Sequence, residues 1–373
     1  MSLHPPFRAD QVGSLIRPDA LMAAREQHQQ GKLSDDGLRE IEDREIRRAV
    51  KMQEDAGFKI VTDGEFRRDN WNRDFLLKFA NVELTESKIK VGAADGSGQT
   101  SVRSPTAMAV TGKISRPVPI FVDHFKFLKS ITKETPKLTI PSPTILHFRG
   151  GRDAIDSKTY PDIDDFYADA ARGYNAEIAD LAAAGCTELQ VDDVNFAYLC
   201  DTRVYEQVRA MGEDPDALTH RYAKLINAAI ANHPASMRVG LHVCRGNSTS
   251  GSTEGSYEPV AETVFNEIDV DTFYLEYDSP RAGGFEPLRF LPKGKVVVLG
   301  LVSTKTPVLE SKDDIKRRID AAAKFVPLEQ LALSTQCGFS SGAGSAQKKG
   351  VTEADEVAKL KLVVDVAREV WGA

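Results

Sequence analysis

Gly185-Cys186-Thr187-Glu188-Leu189-Gln190-Val191-Asp192-Asp193 is the stretch on which the fold turns. Before it, Phe166, Ala170, Tyr174, Ile178 and Leu181 recur at helical spacing, and Gly185 stops that helix. After the glycine comes a short buried strand, with two acids just past its carboxyl end. The same grammar occurs earlier. A helix from Ser34, its N-cap, to Ala56 carries the apolar stripe Leu38, Ile41, Ala49 and Val50, and Gly57 ends it. Phe58–Thr62 then reads as a strand ending in Asp63-Gly64-Glu65. Helix, glycine, strand, acid is the order of a parallel α/β unit.

Working outward, further strands are predicted at Gln11–Ser14, Thr139–Phe148, Met237–Val243, Asp271–Glu276, Lys295–Leu301 and Gln330–Ser334. Helices lie between most of them, including Thr202–Asn232, Lys312–Phe325 and Glu353–Val370. Eight alternating units predict an α/β chain folded as a (β/α)8 TIM barrel, one domain over 1–373, rather than a doubly wound sheet. Residues 80–135, with a Gly/Ser/Thr centre near Gly96–Ser101, break the alternation and read as an inserted hairpin or excursion after the second strand.

Composition admits such a domain. With 373 residues, 41% hydrophobic and 28% charged, the chain has the make-up of a soluble globular protein with a substantial core. A net charge of −7 argues against general binding of nucleic acid or acidic membranes, and leaves room for an anionic small molecule in a local basic pocket. No apolar run approaches the roughly eighteen residues of a membrane span, and Met1–Pro6 lacks the pattern of a signal peptide. Cys186, Cys200, Cys244 and Cys337 are too few for a disulfide framework; they read as reduced thiols or ligands, which points to the cytoplasm. Monomer and homo-oligomer both fit.

The strongest chemical signal is Gly240-Leu241-His242-Val243-Cys244. Strand side chains two apart point the same way, so His242 and Cys244 present a nitrogen and a sulfur side by side, two zinc-ligand types. The plainer reading is a buried histidine beside a small buried cysteine, both inert. Barrel sites lie at the carboxyl ends of the strands. Glu276 ends the sixth strand and Cys337 follows the eighth, so all four residues fall on one rim although they span 95 residues. Two thiolates, an imidazole and a carboxylate complete a tetrahedral zinc set, though a solvated rim acid is the commoner fate of a residue like Glu276, and Asp278 is nearby. Zinc with a displaceable fourth ligand holds a thiol as thiolate at neutral pH, or activates water. Two sulfur ligands weaken its Lewis acidity, which favours thiol alkylation. Cys186 and Cys200 read as structural. The Gly/Ser-rich stretches Asn247–Tyr257 and Gly338–Gly350 read as mobile lids or as ordinary solvated loops.

Taken in order, Val12-Gly13-Ser14, Asp63-Gly64-Glu65, Gln190-Val191-Asp192, His242-x-Cys244, Glu276 and Cys337 resemble the catalytic domain of cobalamin-independent methionine synthase. Gly112 with Ser115-Arg116-Pro117 is similar to that family's segment after its hairpin. The resemblance covers nearly the whole chain, and is to the short branch that lacks a duplicated N-terminal barrel. It implies Zn2+ held by His242, Cys244, Glu276 and Cys337, with the sulfur of homocysteine on the zinc. It further implies that Ser14, Glu65 and Asp192 hold the amino and carboxylate groups, and that methyl transfer from 5-methyltetrahydrofolate or another small-molecule donor gives methionine. Carboxylates suit an ammonium, and a Gly-Ser turn offers an N–H and a hydroxyl to a carboxylate. Helix capping is the plainer role for Glu65 and Asp192.

The methyl-donor side departs from the family pattern. His147-Phe148 stands where the family has Asn-Trp, Tyr198 where it has a pterin-binding glutamate, and Lys305 nearest its proton-donating histidine. Phe148 is expected to stack on the donor ring, and Arg103, Arg149 or Lys305 to meet its anionic groups. Transfer from a tertiary amine needs a protonated leaving group. Lys305 supplies that proton if its pKa is depressed; otherwise it pairs with an acid or an anionic substrate. Two other readings stand beside this one. A thiol alkyltransferase or lyase of the epoxyalkane–coenzyme M type uses the same zinc chemistry, but Glu65 and Asp192 do not suit a sulfonate. A non-catalytic zinc or amino-acid binding protein is the third.

Overall fold

In the computed structural model, residues 7–94, 100–103, 106–247, 253–342 and 350–372 are described. The strands in chain order are β1 (Ile60–Val61), β2 (Ala80–Thr85), β3 (Val91–Ala94), β4 (Thr100–Arg103), β5 (Ala107–Ser115), β6 (Thr135–Pro141), β7 (Glu188–Asp193), β8 (Arg238–Val243), β9 (Thr272–Glu276), β10 (Val296–Val302) and β11 (Leu331–Thr335). Among the described residues, seven of them form one sheet in the order β1-β6-β7-β8-β9-β10-β11, every neighbouring pair parallel. Spatial order follows chain order throughout, so the connections always step the same way and the sheet curls instead of reversing. The result is an α/β fold with a curled parallel sheet carrying helices. No helix among the described residues is long and apolar enough to cross a membrane.

Local chemistry explains the element ends. Ser34 caps the helix Asp35–Ala56 by accepting from the Gly37 N–H, and Gly57 ends it at φ 100°, where a side chain is disfavoured. Asp162 opens the helix Ile163–Ala183 in the same way. The helix expected over Thr202–Asn232 is two helices, Thr202–Ala210 and Pro215–Ile230. Gly212 (φ 85°) closes the first, and Asp214 caps the second with Pro215 in its first turn. The strand expected at Thr139–Phe148 is shorter and earlier, because Pro141 and Pro143 turn the chain into the 3-10 segment Pro143–Leu146.

Gln11–Ser14 does not form the ladder strand expected of it. This segment does lie along β11: Leu333 exchanges backbone hydrogen bonds with Arg8 O and Asp10 N, both 2.9 Å. Beyond that, Phe339 N bonds Ser14 O at 2.8 Å, and side chains take several of its other backbone groups. Asp10 Oδ1 accepts from Gln11 N, Gln190 Nε2 donates to Val12 O, Thr62 Oγ1 donates to Gly13 O, and Glu356 Oε1 accepts from Ile16 N. On its other side Leu15 N reaches Gly64 O at 3.0 Å, so the segment sits between the two ends of the sheet.

Inside the curl, a buried polar group lies toward the amino ends of the strands. Lys137 Nζ is 2.6 Å from Asp10 Oδ1, and Tyr274 OH donates to Asp10 Oδ2 at 2.8 Å. Gly240 makes room for the tyrosine: a Cβ there would meet its ring at 2.6 Å. Between β1 and β6 the chain leaves the sheet for two antiparallel pairs, β2 with β5 and β3 with β4. Most of the Gly/Ser/Thr centre near Gly96–Ser101 lies outside the described residues, as do 248–252 and 343–349 of the two stretches read as lids.

Candidate metal centre

Three strand ends, those of β8, β9 and β11, build one cluster. Asp192 at the end of β7 pairs with His242 in the register of β8, and Cys244 N continues that ladder to Asp193 O at 2.7 Å. Glu276 closes β9 opposite Gly300 of β10. Past β11, Gln336 N bonds Val302 O at 2.8 Å, which sets the position of Cys337. One ligand-type atom from each of His242, Cys244, Glu276 and Cys337 lies within 4.8 Å of the other three, and all four residues are buried.

The donor set fits a thiophilic divalent metal. The two Sγ atoms are 3.7 Å apart and both cysteines are free. His242 Nδ1 faces Tyr274 O at 3.3 Å, which leaves Nε2 buried without a hydrogen-bond partner, 3.9 Å from Glu276 Oε1. A buried nitrogen with nothing to bond is costly unless something occupies the gap. Glu276 Oε1 accepts from Arg245 N at 3.0 Å, so the carboxylate is held in place by backbone. Burial lowers the His242 pKa, but the Cys244 sulfur, Asp192 and Glu276 outweigh it and lift the ring to about 9. The cluster attracts positive charge.

Beside it lies a second group of buried acceptors. Glu65 adopts φ 61°, unusual without glycine, and is fixed there by Asp63 Oδ1 accepting from its N–H at 2.8 Å. Thr139 Oγ1 donates to Glu65 Oε1 at 2.9 Å, while Glu65 Oε2, Asp63 Oδ2 and Gln190 Oε1 have no hydrogen-bond donor. Gln190 Nε2 donates to Asp192 Oδ1 at 2.6 Å, and burial raises the Asp192 carboxyl to about 7. Ser14 is covered by Gly338, where any Cβ would strike its hydroxyl.

The residues expected on the donor side are placed differently. Phe148 is only 1% exposed: one face stacks on Tyr198 (5.9 Å, 23°) and Tyr222 meets it edge-on. Its ring is spent on the core, which corrects the expectation of an open stacking face. His147 is likewise structural, with Nδ1 2.9 Å from Tyr222 OH and Nε2 3.4 Å from Glu213. Arg149 donates to Tyr198 OH and to Thr106 O. The side chain of Arg103 lies outside the described residues. Lys305 Nζ sits 3.4 Å from Glu276 Oε2 and from Asp278. Burial lowers its pKa, but these two carboxylates outweigh it and hold the ammonium above the ordinary lysine value, so of the two readings open for Lys305 it is the pairing with acids that is found.

Sequence reading did not anticipate the struts behind the ligands. Asn247 Nδ2 and Thr304 Oγ1 both donate to Gly338 O, and Gln336 Oε1 accepts from Thr304 N at 2.6 Å. Gln336 Nε2 in turn reaches Asn247 Oδ1 at 3.3 Å. These contacts join the loops after β8, β10 and β11. The only signal available was adjacency: Asn247 follows Cys244 by three residues, and Gln336 precedes Cys337.

Comparison with known proteins agrees with this architecture. Residues 7–368 match the family described as cobalamin-independent synthase, catalytic domain. The uncharacterized protein YxjG of Bacillus subtilis is 42% identical over 371 residues, covering 98% of this chain and 95% of its own. A methionine synthase of Sulfurisphaera tokodaii is 25% identical over 330 residues, covering 88% of this chain and 84% of its own. Among solved structures, a candidate vitamin-B12 independent methionine synthase from Listeria monocytogenes superposes with a TM-score of 0.77 at 35% identity, covering 99% of both chains. The chain therefore belongs to the cobalamin-independent synthase catalytic-domain family, and is a methyltransferase of the methionine synthase type.

Proposed function

We propose that the protein methylates the thiol of homocysteine to give methionine, with zinc held by His242, Cys244, Glu276 and Cys337 and 5-methyltetrahydrofolate as the first donor to test. The observation that carries the reading is the juxtaposition of that ligand set with the buried acceptor oxygens of Glu65, Asp63, Gln190 and Asp192. Bound zinc supplies a site that keeps a ligating thiol deprotonated at neutral pH. Asp192 and Glu65 meet the substrate ammonium, which gives Glu65 Oε2 the donor that it otherwise lacks. Ser14, against Gly338, serves the substrate carboxylate. The same acceptors disfavour a sulfonate thiol. Tyr198 and Arg149 line the donor side. Lys305 is committed to Glu276 and Asp278, and the proton for the leaving nitrogen is not assigned to it.

In this reading the chain is one domain over 1–373. The segment 8–15 stands in for the first strand and closes a (β/α)8 barrel, with β2–β5 an excursion from it. Thiol ligands need reduced cysteines, which supports the cytoplasm as the compartment in this reading.

The test is methionine formation by zinc-loaded protein given homocysteine and 5-methyltetrahydrofolate. Turnover is the expected result. Failure of homocysteine to bind the zinc-loaded protein would overturn the thiol half, whereas binding without product would overturn only the donor. Cys337→Ala and His242→Ala are expected to lose both zinc and activity.

A further inference from the structure

We propose that Lys305 is a positioning residue for Glu276, dividing that carboxylate between the metal site and a counter-ion so that Glu276 is a ligand that a substrate thiol can replace. The inference rests on the metal reading above. Glu276 is fully buried, and its two oxygens face different partners: Oε1 lies 3.9 Å from His242 Nε2, Oε2 3.4 Å from Lys305 Nζ. A carboxylate whose outer oxygen is neutralised by an ammonium donates less charge through the inner one. It is also stable when it lets go, because the ion pair remains.

The lysine is itself built into place. Its side chain is 9% exposed, and both Asp278 oxygens lie 3.4 Å from Nζ. Ser303 Oγ fixes Asp278 by donating to Oδ2 at 2.9 Å. Asp278 therefore competes with Glu276 for the same ammonium, and the two acids set how much of its charge each receives. Substrate binding adds a further thiolate to a set already rich in negative charge. Lys305 stands within ion-pairing distance of that set, at Glu276 Oε2.

This assignment makes two variants move in opposite directions. In cobalt(II)-substituted protein, homocysteine binding is followed by the thiolate-to-cobalt charge-transfer band. Lys305→Met, which leaves Glu276 without its counter-ion, is expected to weaken homocysteine binding by about tenfold or more, with Lys305→Arg restoring most of the loss. Asp278→Asn, which leaves the ammonium to Glu276, is expected to tighten homocysteine binding. It also decides the matter if Lys305→Met does not fold. Unchanged affinity and unchanged spectra in these variants, or a shift of both in one direction, would overturn the role of Lys305 while leaving the metal reading intact. Failure of the wild-type protein to take up cobalt or zinc would overturn the metal reading itself, and this inference with it.

Discussion

Asp192 and Asp10 are both buried acids, yet their partners differ and so do the consequences of changing them. Asp192 accepts one hydrogen bond from Gln190 and lies opposite His242. Asp192→Asn keeps the shape and removes the charge, so it is expected to weaken homocysteine binding about tenfold or more while zinc content is unaltered; calorimetric titration alongside metal analysis checks both. Asp10 is fully matched, by Lys137 and Tyr274. Lys137→Met leaves it without a counter-ion, with only the Tyr274 hydroxyl and the Gln11 N–H donating to it, and an expected loss of about 3–5 kcal/mol in urea unfolding with no change in metal content. The meeting of His242, Cys244, Glu276 and Cys337 was legible from sequence because each stands at a strand end, where strand periodicity dictates direction. The placement of Phe148 and Lys305 was not. Which way a side chain turns in a loop depends on neighbours such as Tyr198 and Asp278, distant in sequence or in another loop.

Among the elements, the helix Glu353–Trp371 shows how an end can be tied down by a buried acid. Glu356 Oε1 accepts from Ile16 N at 2.8 Å, and burial raises its carboxyl to about 8 from the ordinary 4.5. Between those two values the folded protein holds a proton that the unfolded chain has released. Stability from this group is therefore greatest in acid, declines as pH rises through the window, and levels off above about 8. Glu356→Gln is expected to remove that slope: urea midpoints of variant and wild type should diverge from pH 5 to 9, with the variant the more stable at the alkaline end by a few kcal/mol at most. A parallel pair of curves would refute the assignment. The boundaries at Ser34 and Gly57 were readable because caps are local chemistry. Gln11–Ser14 was misread as a ladder strand because its partners are the side chains of Thr62, Gln190 and Glu356, and no local pattern announces those.

For the molecule as a whole, the candidate ligands come from the central strand β8, its neighbour β9 and the end of β11, so a metal bound there would couple to global stability. Zinc at a hundredfold excess over its dissociation constant is expected to stabilise the fold by roughly 3 kcal/mol, an upward shift in melting temperature that Cys337→Ala should abolish. Parallel architecture was legible from repeated helix-glycine-strand units, since each repeats the same local pattern. How the sheet's two ends meet was not, being a property of no single unit. The first described segment bonds to β11 across a separation of 323 residues, through Arg8 and Leu331, and Ser14 packs under Gly338. During synthesis the segment emerges 323 residues ahead of its partner. At ribosomal speeds the wait is on the order of tens of seconds, during which the nascent chain carries an unpaired leading edge and lacks Cys337. The four-residue cluster thus exists only after Cys337 has been made, and a prematurely terminated polypeptide ending before Cys337 never assembles it.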